Sequence, residues 1–424
     1  MRKRFIHTVA AILFSVALPA QNETKNIDKL KVFIDCSSTW CDMTFIRTEI
    51  NLVDFMLDRT AADVHVLVTD QGTGSGGRKY QLIFFGQKSF KNLNDTIHFI
   101  TDPNATDFER RDLLIKYMKL GLAPQIAKTN AAKDAVINFK RTETDADKKD
   151  STTKTRDPWN YWVFNVGVNG NLSADEVYKN SSVSLNLSAN RVTDELKTGF
   201  EVYAGKNTTV FKLDNGNGVI EKITNKNDNY SLQHYLIKSL GQHWSYGYEA
   251  VLSRSTFSNN KSMLVLRTGM EFAVFPYKQV NTKFFTVSYT VDARRNAYFD
   301  TTLYEKTKET LLGHAVETSL SFNQKWGTVS VGAKYHNYFH DWKLLNLSFN
   351  TELNIRITGG LSLNVYTYAE LTRDQLFLPK GGATPQEVLT RRRQLASGYN
   401  FYTFFGLNYR FGSKLNNFVN PRFD

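Results

Sequence analysis

Charged side chains recur in the C-terminal part of the chain at positions that alternate with apolar ones. Residues 345–357 show the pattern most clearly, with leucine, isoleucine and phenylalanine on odd positions and asparagine, glutamate and arginine on even ones. A period of two places successive side chains on opposite faces of a β-strand, so the charges are expected to share one face. Inside a closed sheet, such a face can line a passage for small polar solutes. The predicted interior charges are Glu201, Glu249, Arg267, Glu271, Glu317, Lys334, Glu352, Arg356, Glu370 and Arg410.

Pairing of these charges with one another is the alternative to a passage. A charge buried without a partner costs several kcal/mol, so a narrow interior with both signs would form salt bridges. The sequence leaves both interpretations open: a polar passage, or an interior filled by paired side chains.

The two cysteines, Cys36 and Cys41, are close together in the sequence. In an oxidising compartment a disulfide that closes this short loop is expected. A metal site would need further ligands nearby, and a redox pair would favour the tighter Cys-x-x-Cys spacing. The sequence therefore predicts a structural disulfide and no metal site.

Three glycines, Gly72, Gly74 and Gly77, match the Gly-x-Gly-x-x-Gly spacing of a dinucleotide-binding loop. That loop needs a helix N-terminus after it to hold the pyrophosphate. Here residues 80–84 form another predicted strand. We therefore predict a flexible hairpin tip that is free to touch a partner protein, and no cofactor.

Histidines offer the only hint of catalysis. His234 and His314 are predicted on the outward, apolar face, but neither has an obvious serine partner with an orienting carboxylate or amide. His336 and His340 lie near Asp341 at a predicted outer rim. We predict no catalytic residue and no enzyme, with a membrane-embedded lipid hydrolase or deacylase as the alternative.

The strands that position the charges are long. Strands of soluble sandwiches have ~5–6 residues, whereas strands tilted across a bilayer need ~9–11 with an apolar-out, polar-in repeat. The length favours a mainly β fold, a transmembrane antiparallel β-barrel of about 12 strands over residues 158–412. The predicted strands are 160–170, 178–190, 195–206, 229–239, 243–255, 262–275, 282–294, 311–322, 327–338, 342–357, 360–372 and 398–411.

Connections between these strands alternate in length, and the long predicted loops are 207–228, 295–310 and 373–397. Bacterial barrels have short periplasmic turns and longer extracellular loops. Both barrel termini are therefore predicted in the periplasm, together with the domain that precedes them.

Residues 28–129 have a mixed pattern and predict a small periplasmic α+β domain in the order β-α-β-β-β-α. Apolar residues at helical spacing predict a first helix over 43–58, with Asp42 as its N-cap. Thr106 and Glu109 form a capping box that predicts the start of a second helix.

Three segments flank the two domains. Residues 1–20 have a basic start and an apolar run too short to span a membrane, as a cleaved signal peptide does. Residues 130–157 become rich in charges of both signs, which predicts a flexible linker. Residues 413–424 form a C-terminal tail.

The chain is basic, with 53 Lys and Arg against 41 Asp and Glu, a formal charge of +12. A basic exported protein can meet nucleic acid or phosphate-rich lipid, and the export signal favours lipid. The expected partners are outer-membrane lipids and lipopolysaccharide, and a periplasmic protein that contacts the first domain. No nucleic-acid partner is expected.

The last predicted strand contains Gly406, Tyr409 and Phe411 in the order Gly-Leu-Asn-Tyr-Arg-Phe. This resembles the C-terminal insertion signal of outer-membrane proteins, which implies recognition by the barrel-assembly machinery during biogenesis. The chain departs from that signal at Phe404, where the family has a polar residue, and in the tail that follows. The strand-rich region is also weakly similar to salt-induced outer-membrane proteins, a likeness that implies no function. The N-terminal domain resembles no family.

Together these features predict a protein of the outer membrane of a Gram-negative bacterium. Its expected role is a narrow, porin-like channel for small polar solutes, or a scaffold that anchors a periplasmic domain.

Overall fold

The computed structural model describes residues 29–74, 76–136, 157–214, 220–358, 360–381 and 397–412. The N-terminal domain contains a five-stranded sheet in the order β2-β1-β3-β4-β5. β1 is parallel to β2 and β3, and the other pairs are antiparallel. Its elements are β1 (Leu30–Asp35), α1 (Met43–Glu49), β2 (Val53–Phe55), β3 (Val64–Gly72), β4 (Arg78–Gly86), β5 (Asp95–Thr101) and α2 (Asp107–Ile126).

The core of this domain lies between one face of the sheet and α2. Phe84 of β4 is fully buried, as are Met118 and Leu122 of α2. Gly121 allows the close approach, because a Cβ there would lie 2.1 Å from the ring of Phe84. The predicted capping box begins α2, since Thr106 and Glu109 each accept a hydrogen bond from the other's backbone N–H.

The predicted first helix is wrong in its second half. α1 ends at Glu49, and Val53 and Phe55 instead pair with Leu30 and Val32 as the parallel edge strand β2. These two apolar residues fit a period of two as well as a helical period, and the open edge of β1 offered backbone hydrogen bonds for the strand.

A twelve-stranded antiparallel sheet follows, and each strand pairs with its neighbours in sequence. The mainly β fold class, with a small α+β domain before twelve antiparallel strands, is confirmed. The strands are β6 (Trp162–Ala174), β7 (Tyr178–Val192), β8 (Leu196–Asp214), β9 (Ile220–Ser239), β10 (Trp244–Ser255), β11 (Asn260–Ala273), β12 (Lys283–Tyr298), β13 (Lys308–Gln324), β14 (Gly327–Tyr338), β15 (Asp341–Arg356), β16 (Leu361–Thr372) and β17 (Tyr399–Tyr409).

The long hairpin of β8 and β9 corrects one predicted loop. Residues 207–214 and 220–228 are paired strand rather than loop, with Lys206 opposite Asp228 and Asp214 opposite Ile220. β-branched residues such as Val210, Ile220 and Ile223 favour this extension.

The two edges of the large sheet are β6 and β17, and no ladder joins them within the described residues. No helix in the described part of the chain is long and apolar enough to cross a membrane. The predicted signal peptide and C-terminal tail, and residues 137–156 of the predicted linker, lie outside the described residues.

Candidate functional site: the polar face and the two ends of the large sheet

One face of the large sheet carries the predicted interior charges. Directly opposite residues of an antiparallel pair lie on the same face. The ladders connect Glu249 to Arg267 and Glu317 to Lys334 in this way. Glu201, Glu271, Glu352, Arg356 and Glu370 follow the same register, whereas Arg410 lies just beyond the end of β17. We call this surface the polar face.

Several charges of the polar face have partners. Arg267 lies 2.9 Å from Glu249, which also accepts a hydrogen bond from Gln233. A cavity of about 430 Å³ lies beside this pair and is lined in part by Lys197, Glu201 and Tyr235.

Other carboxylates of the polar face have partners farther along the sheet. Lys334 is 3.5 Å from Glu317, and Asn346 and Tyr368 both donate to Glu370. Glu271 accepts from Tyr277, and Glu352 from Asn354. The polar face is thus partly cross-linked and partly lines open space.

The opposite face is apolar and exposed. Leu347 is 44% exposed and Phe349 39%, whereas Ser348 between them is on the polar face. On the edge strands, Val166 reaches 73% and Phe405 75%. So large an apolar surface needs an apolar surrounding, which for strands of this length is the hydrocarbon of a bilayer.

A buried cluster occupies the polar face near one end, which we call the long-loop end because it carries the connection 373–398. His336 Nε2 is 2.8 Å from Asp292, and the guanidinium of Arg294 contacts both residues. Tyr338 lies beside them, with the Arg294 guanidinium 5.4 Å from its ring centre. His336 therefore pairs with Asp292, not with Asp341 as the rim position suggested.

Residues 373–381, which we call the crossing segment, fold over this cluster. The carbonyl of Phe377 accepts a hydrogen bond from the Asn259 side chain, and that of Leu378 accepts from the backbone of Leu303. Leu376 is buried against Leu311 and Tyr338. The crossing segment thus joins β16 to the loops after β10 and β12 across the long-loop end.

The N-terminal domain covers the other end, the short-turn end, where the turns 193–195, 240–243, 274–282, 325–326 and 357–360 lie. β3 shows this by its burial: His65, Leu67 and Thr69 are as buried as the core residues Val64, Val66 and Val68. A strand buried on both faces has a packed layer on each side. α2 covers one face, and the turns of the large sheet lie against the other.

An ion pair joins the two domains at this surface. The guanidinium of Arg356, at the end of β15, donates to both carboxylate oxygens of Asp35, which is 1% exposed. His65 Nε2 lies 3.2 Å from the same carboxylate. Burial alone would raise the pKa of Asp35, but the hydrogen bonds from His65 and Arg356 and the charge of Arg356 hold it well below its ordinary value. Burial lowers the pKa of His65.

Three further contacts spread the docking over other turns. Arg59 donates to the carbonyl of Lys325, whose ammonium lies 3.9 Å from the ring centre of Phe85. Asn281 donates to the side chain of Gln81 at 2.8 Å.

Gly74, in the predicted hairpin tip, meets Val192 so closely that a Cβ would lie 2.3 Å from the valine Cβ. The glycine-rich hairpin thus contacts this chain's own large sheet. A cavity of about 600 Å³ remains beside Arg356, lined also by Arg47, Arg59 and Arg410.

Histidines on the apolar face lie among aromatic rings. His234 stacks on Phe200 at 4.1 Å and contacts the hydroxyl of Tyr248. His314 stacks on Phe339, and neither of its ring nitrogens has a hydrogen-bond partner within the described residues. Within the described part of the chain, neither histidine is hydrogen-bonded to a serine and a carboxylate.

The remaining predicted site residues have defined places. Cys36 and Cys41 form a disulfide. Gly406 of β17 pairs with Asn364 of β16, and Tyr409 and Phe411 stack on each other with exposed rings. Among the described residues no cluster of side chains is suited to bind a metal ion.

Comparisons with known proteins concern the large sheet. No protein-family model and no curated protein matches the chain. Among solved structures it is similar to the NanC porin, at 10% identity and a TM-score of 0.27 over 58% of this chain and 98% of that one. It is also similar to the translocator domain of the autotransporter NalP from Neisseria meningitidis (13% identity, TM-score 0.24, 59% of this chain and 87% of that one) and to a bacterial polysaccharide outer membrane secretin (10%, 0.28, 59% and 91%).

These scores are low, so the class of the chain rests on its own features. Twelve antiparallel strands joined in sequence order, an exposed apolar face and a charged opposite face are the features of an outer-membrane β-barrel protein. The chain has this fold type.

Sequence reasoning missed the residues that join the two domains. Asp35 ends an apolar strand, and His65 and Thr69 interrupt another, which are signals of a second buried face. The partner turns could not be identified, because contacts such as Asp35–Arg356 join residues far apart in the sequence.

Proposed function

We propose that this protein is an outer-membrane channel for small polar solutes whose short-turn end is closed by its own N-terminal domain. The proposal is non-enzymatic. The observation that carries it is the burial of the second face of the N-terminal sheet, including Asp35 and His65, against the turns of the large sheet.

Closure of the large sheet supports the channel. With twelve strands joined in sequence order, β6 and β17 run in opposite directions, so they can pair as an antiparallel ladder. Two long unpaired edges are unfavourable, and in a bilayer each unpaired backbone group costs several kcal/mol. Closing the barrel with the apolar face outward puts the polar face inside.

Orientation follows from the same features. Outer-membrane barrels have short turns on the periplasmic side, which supports a periplasmic position for the docked N-terminal domain. The apolar face then meets outer-membrane lipids and lipopolysaccharide, and the exposed β17 with Gly406, Tyr409 and Phe411 suits recognition by the barrel-assembly machinery.

A scaffold is the second candidate, and the ion pair between Asp35 and Arg356 favours it. A domain held by a buried bidentate contact is fixed at the membrane surface even if nothing passes through the barrel. The outer edge of β5, which has an exposed Ile100, would then be available to a periplasmic protein.

Conductance with the domain locked in place separates the two functions. Gln81→Cys and Asn281→Cys place thiols at a contact of 2.8 Å, and a short bismaleimide can link them. We expect the linked chain to conduct less in a planar bilayer than the same chain without reagent. Arg356→Gln, which weakens docking, should conduct more than the wild type.

Each single cysteine variant treated with the reagent is the matched control. Equal currents through linked and unlinked chains would overturn closure by the N-terminal domain. If no form conducts, including Arg356→Gln, the channel is wrong and the scaffold stands.

A further inference from the structure

A cavity of about 570 Å³ lies between the polar face and the crossing segment, at the long-loop end. We propose that it binds a neutral saccharide, which deepens the proposed channel by giving its solute class. Passage of the sugar through the barrel rests on the proposed function. Binding of the sugar in the cavity does not, since it can be measured directly.

The cavity has the size and enclosure of a small-molecule site. Ligand pockets occupy ~300–1,000 Å³ and combine aromatic surface with a few placed polar groups. Here the strands supply the walls, and Gln375 and Phe377 of the crossing segment supply the roof. The backbone bonds of Phe377 and Leu378 to neighbouring loops hold that roof in place.

The chemistry of the lining suits hydroxyl groups. A carboxamide presents both donors and an acceptor, so it can bond to two adjacent hydroxyls of a sugar. Tyrosine and phenylalanine rings offer amphipathic or apolar surfaces for the C–H face of the same ring. The amides that line the cavity are Asn260, Asn296, Asn346, Gln375 and Asn400, and the rings are Tyr298, Tyr338, Phe377 and Tyr399.

One buried amide has bonding capacity left over. Asn296 is 8% exposed and donates from its side-chain nitrogen to Tyr298, but its Oδ1 has no hydrogen-bond partner among the residues that the structure describes. A buried acceptor without a donor costs ~1–3 kcal/mol. A sugar hydroxyl in the cavity would supply the missing donor.

Charge excludes the acidic sugars. The cavity is lined by one basic residue, Arg294, against the carboxylates of Glu370 and Asp374. Arg294 is already bound to Asp292, so it is not available to an anion. Glu370 is engaged by Asn346 and Tyr368, so this carboxylate is occupied and the other amides of the cavity remain to contact the ligand.

Saturation-transfer NMR on the full-length protein in detergent tests the site, with maltose and glucuronate as probes. We expect a signal with maltose and none with glucuronate. Asn296→Ala should weaken maltose binding about five- to tenfold, as expected for one lost hydrogen bond. Asn400→Ala should also weaken it, and this side chain is exposed on the polar face opposite Glu370, so its removal leaves the fold intact.

Asn354→Ala is the matched control, because Asn354 is on the same face near the short-turn end and contacts Glu352. It should bind maltose as the wild type does. No maltose signal, or equal signals from both probes, would overturn the saccharide. Unchanged binding by both Asn296→Ala and Asn400→Ala would overturn the site.

The same preparations can be tested for conductance. Maltose binding without conductance in any variant would remove the channel and leave the saccharide site. Conductance without maltose binding would remove the saccharide site and leave the channel.

Discussion

The two sheets of this protein bury their side chains in opposite ways. In the N-terminal sheet, β3 is buried on both faces, between α2 and the turns of the large sheet. In the large sheet, the side chains of one face are apolar and exposed, and the polar side chains share the opposite face. The same strand geometry therefore serves two surroundings, water with a protein partner in one case and hydrocarbon in the other.

The difference shows what sequence alternation reports. A clear period of two, as in β15, marks a strand with one apolar and one polar neighbour, whatever those neighbours are. The loss of alternation in β3, where Val64 to Val68 includes only one polar residue, marks burial on both sides. The large sheet was predictable for this reason, and the docking of the small one was not.

Breaking the ion pair between Asp35 and Arg356 tests the contact of the N-terminal sheet with its protein partner. Of the changes considered, it should have the largest effect. Arg356→Gln leaves the Asp35 carboxylate without its charged partner, so we expect docking to weaken by up to about 3–5 kcal/mol. Double electron–electron resonance between spin labels at positions 88 and 278, in place of Lys88 and Lys278, would measure whether the domain moves away from the turns.

Lys380→Gln is the control, since Lys380 and Glu305 form an exposed pair worth ~0–1 kcal/mol. An unchanged distance distribution in Arg356→Gln would mean that the other turn contacts hold the domain alone.

Contact of the apolar face of the large sheet with hydrocarbon is tested by placing a charge on that face. Leu347→Arg should destabilise the barrel by ~2–4 kcal/mol if this position lies at the bilayer midplane. Ser348→Arg, one residue away on the polar face, should cost less. Unfolding in lipid vesicles, followed by heat-modifiable migration on gels, measures both. Equal losses would show that the register of β15 does not separate two surroundings.

Packing within the N-terminal domain can be changed without altering the docking surface or the apolar face of the large sheet. Gly121→Ala places a methyl against the Phe84 ring, and overpacking costs typically 1–3 kcal/mol. Hydrogen exchange should quicken in the N-terminal domain and stay unchanged in the large sheet. Lys116→Ala, on the exposed side of α2, is the control. Faster exchange in both sheets would mean that they unfold as one unit.

Acid should weaken the N-terminal domain gradually, and this is the smallest effect. The pKa of His65 is lowered from 6.5 on folding, so the unfolded chain binds the proton more readily. Stability is therefore full above about pH 6.5 and falls as the pH decreases, by at most ~1.4 kcal/mol per pH unit for one proton. Asp35, whose pKa is lowered from 3.8, adds a second loss below that value.

Urea unfolding of the domain between pH 5 and 7.5 measures this slope. His65→Gln should flatten it, and His98→Gln, on the exposed edge strand β5, should not. A slope that survives in His65→Gln would assign the acid sensitivity to another group.

Much of the fold could be predicted, because it depends on local patterns. Alternation located all twelve strands of the large sheet, and the capping box of Thr106 and Glu109 located α2. The ends of elements were less predictable. Val53 and Phe55 fitted two periods at once, and β8 and β9 continue as a paired hairpin beyond the apolar repeat.

The sequence predicted which face of the sheet carries the charged residues of the candidate site, but not which of the site residues pair with one another. The parity of the strands placed Glu249, Arg267 and Glu317 on one side. The partner of His336 depends on which strands are neighbours and on their register, so the sequence predicts only its nearness to Asp341 and does not indicate Asp292. Asn296 and the crossing segment had no pattern that could mark them.

The docking surface also sets an order of assembly. The turns that receive the N-terminal domain come from four separate hairpins, represented by Val192, Asn281, Lys325 and Arg356, and they lie side by side only when the strands between them have paired. Until then the second face of the small sheet, with Leu67 and Phe85, is not covered by these turns. The docked position of the domain therefore depends on the pairing of β7 to β16, and a chain in which these strands are unpaired lacks the complete docking surface.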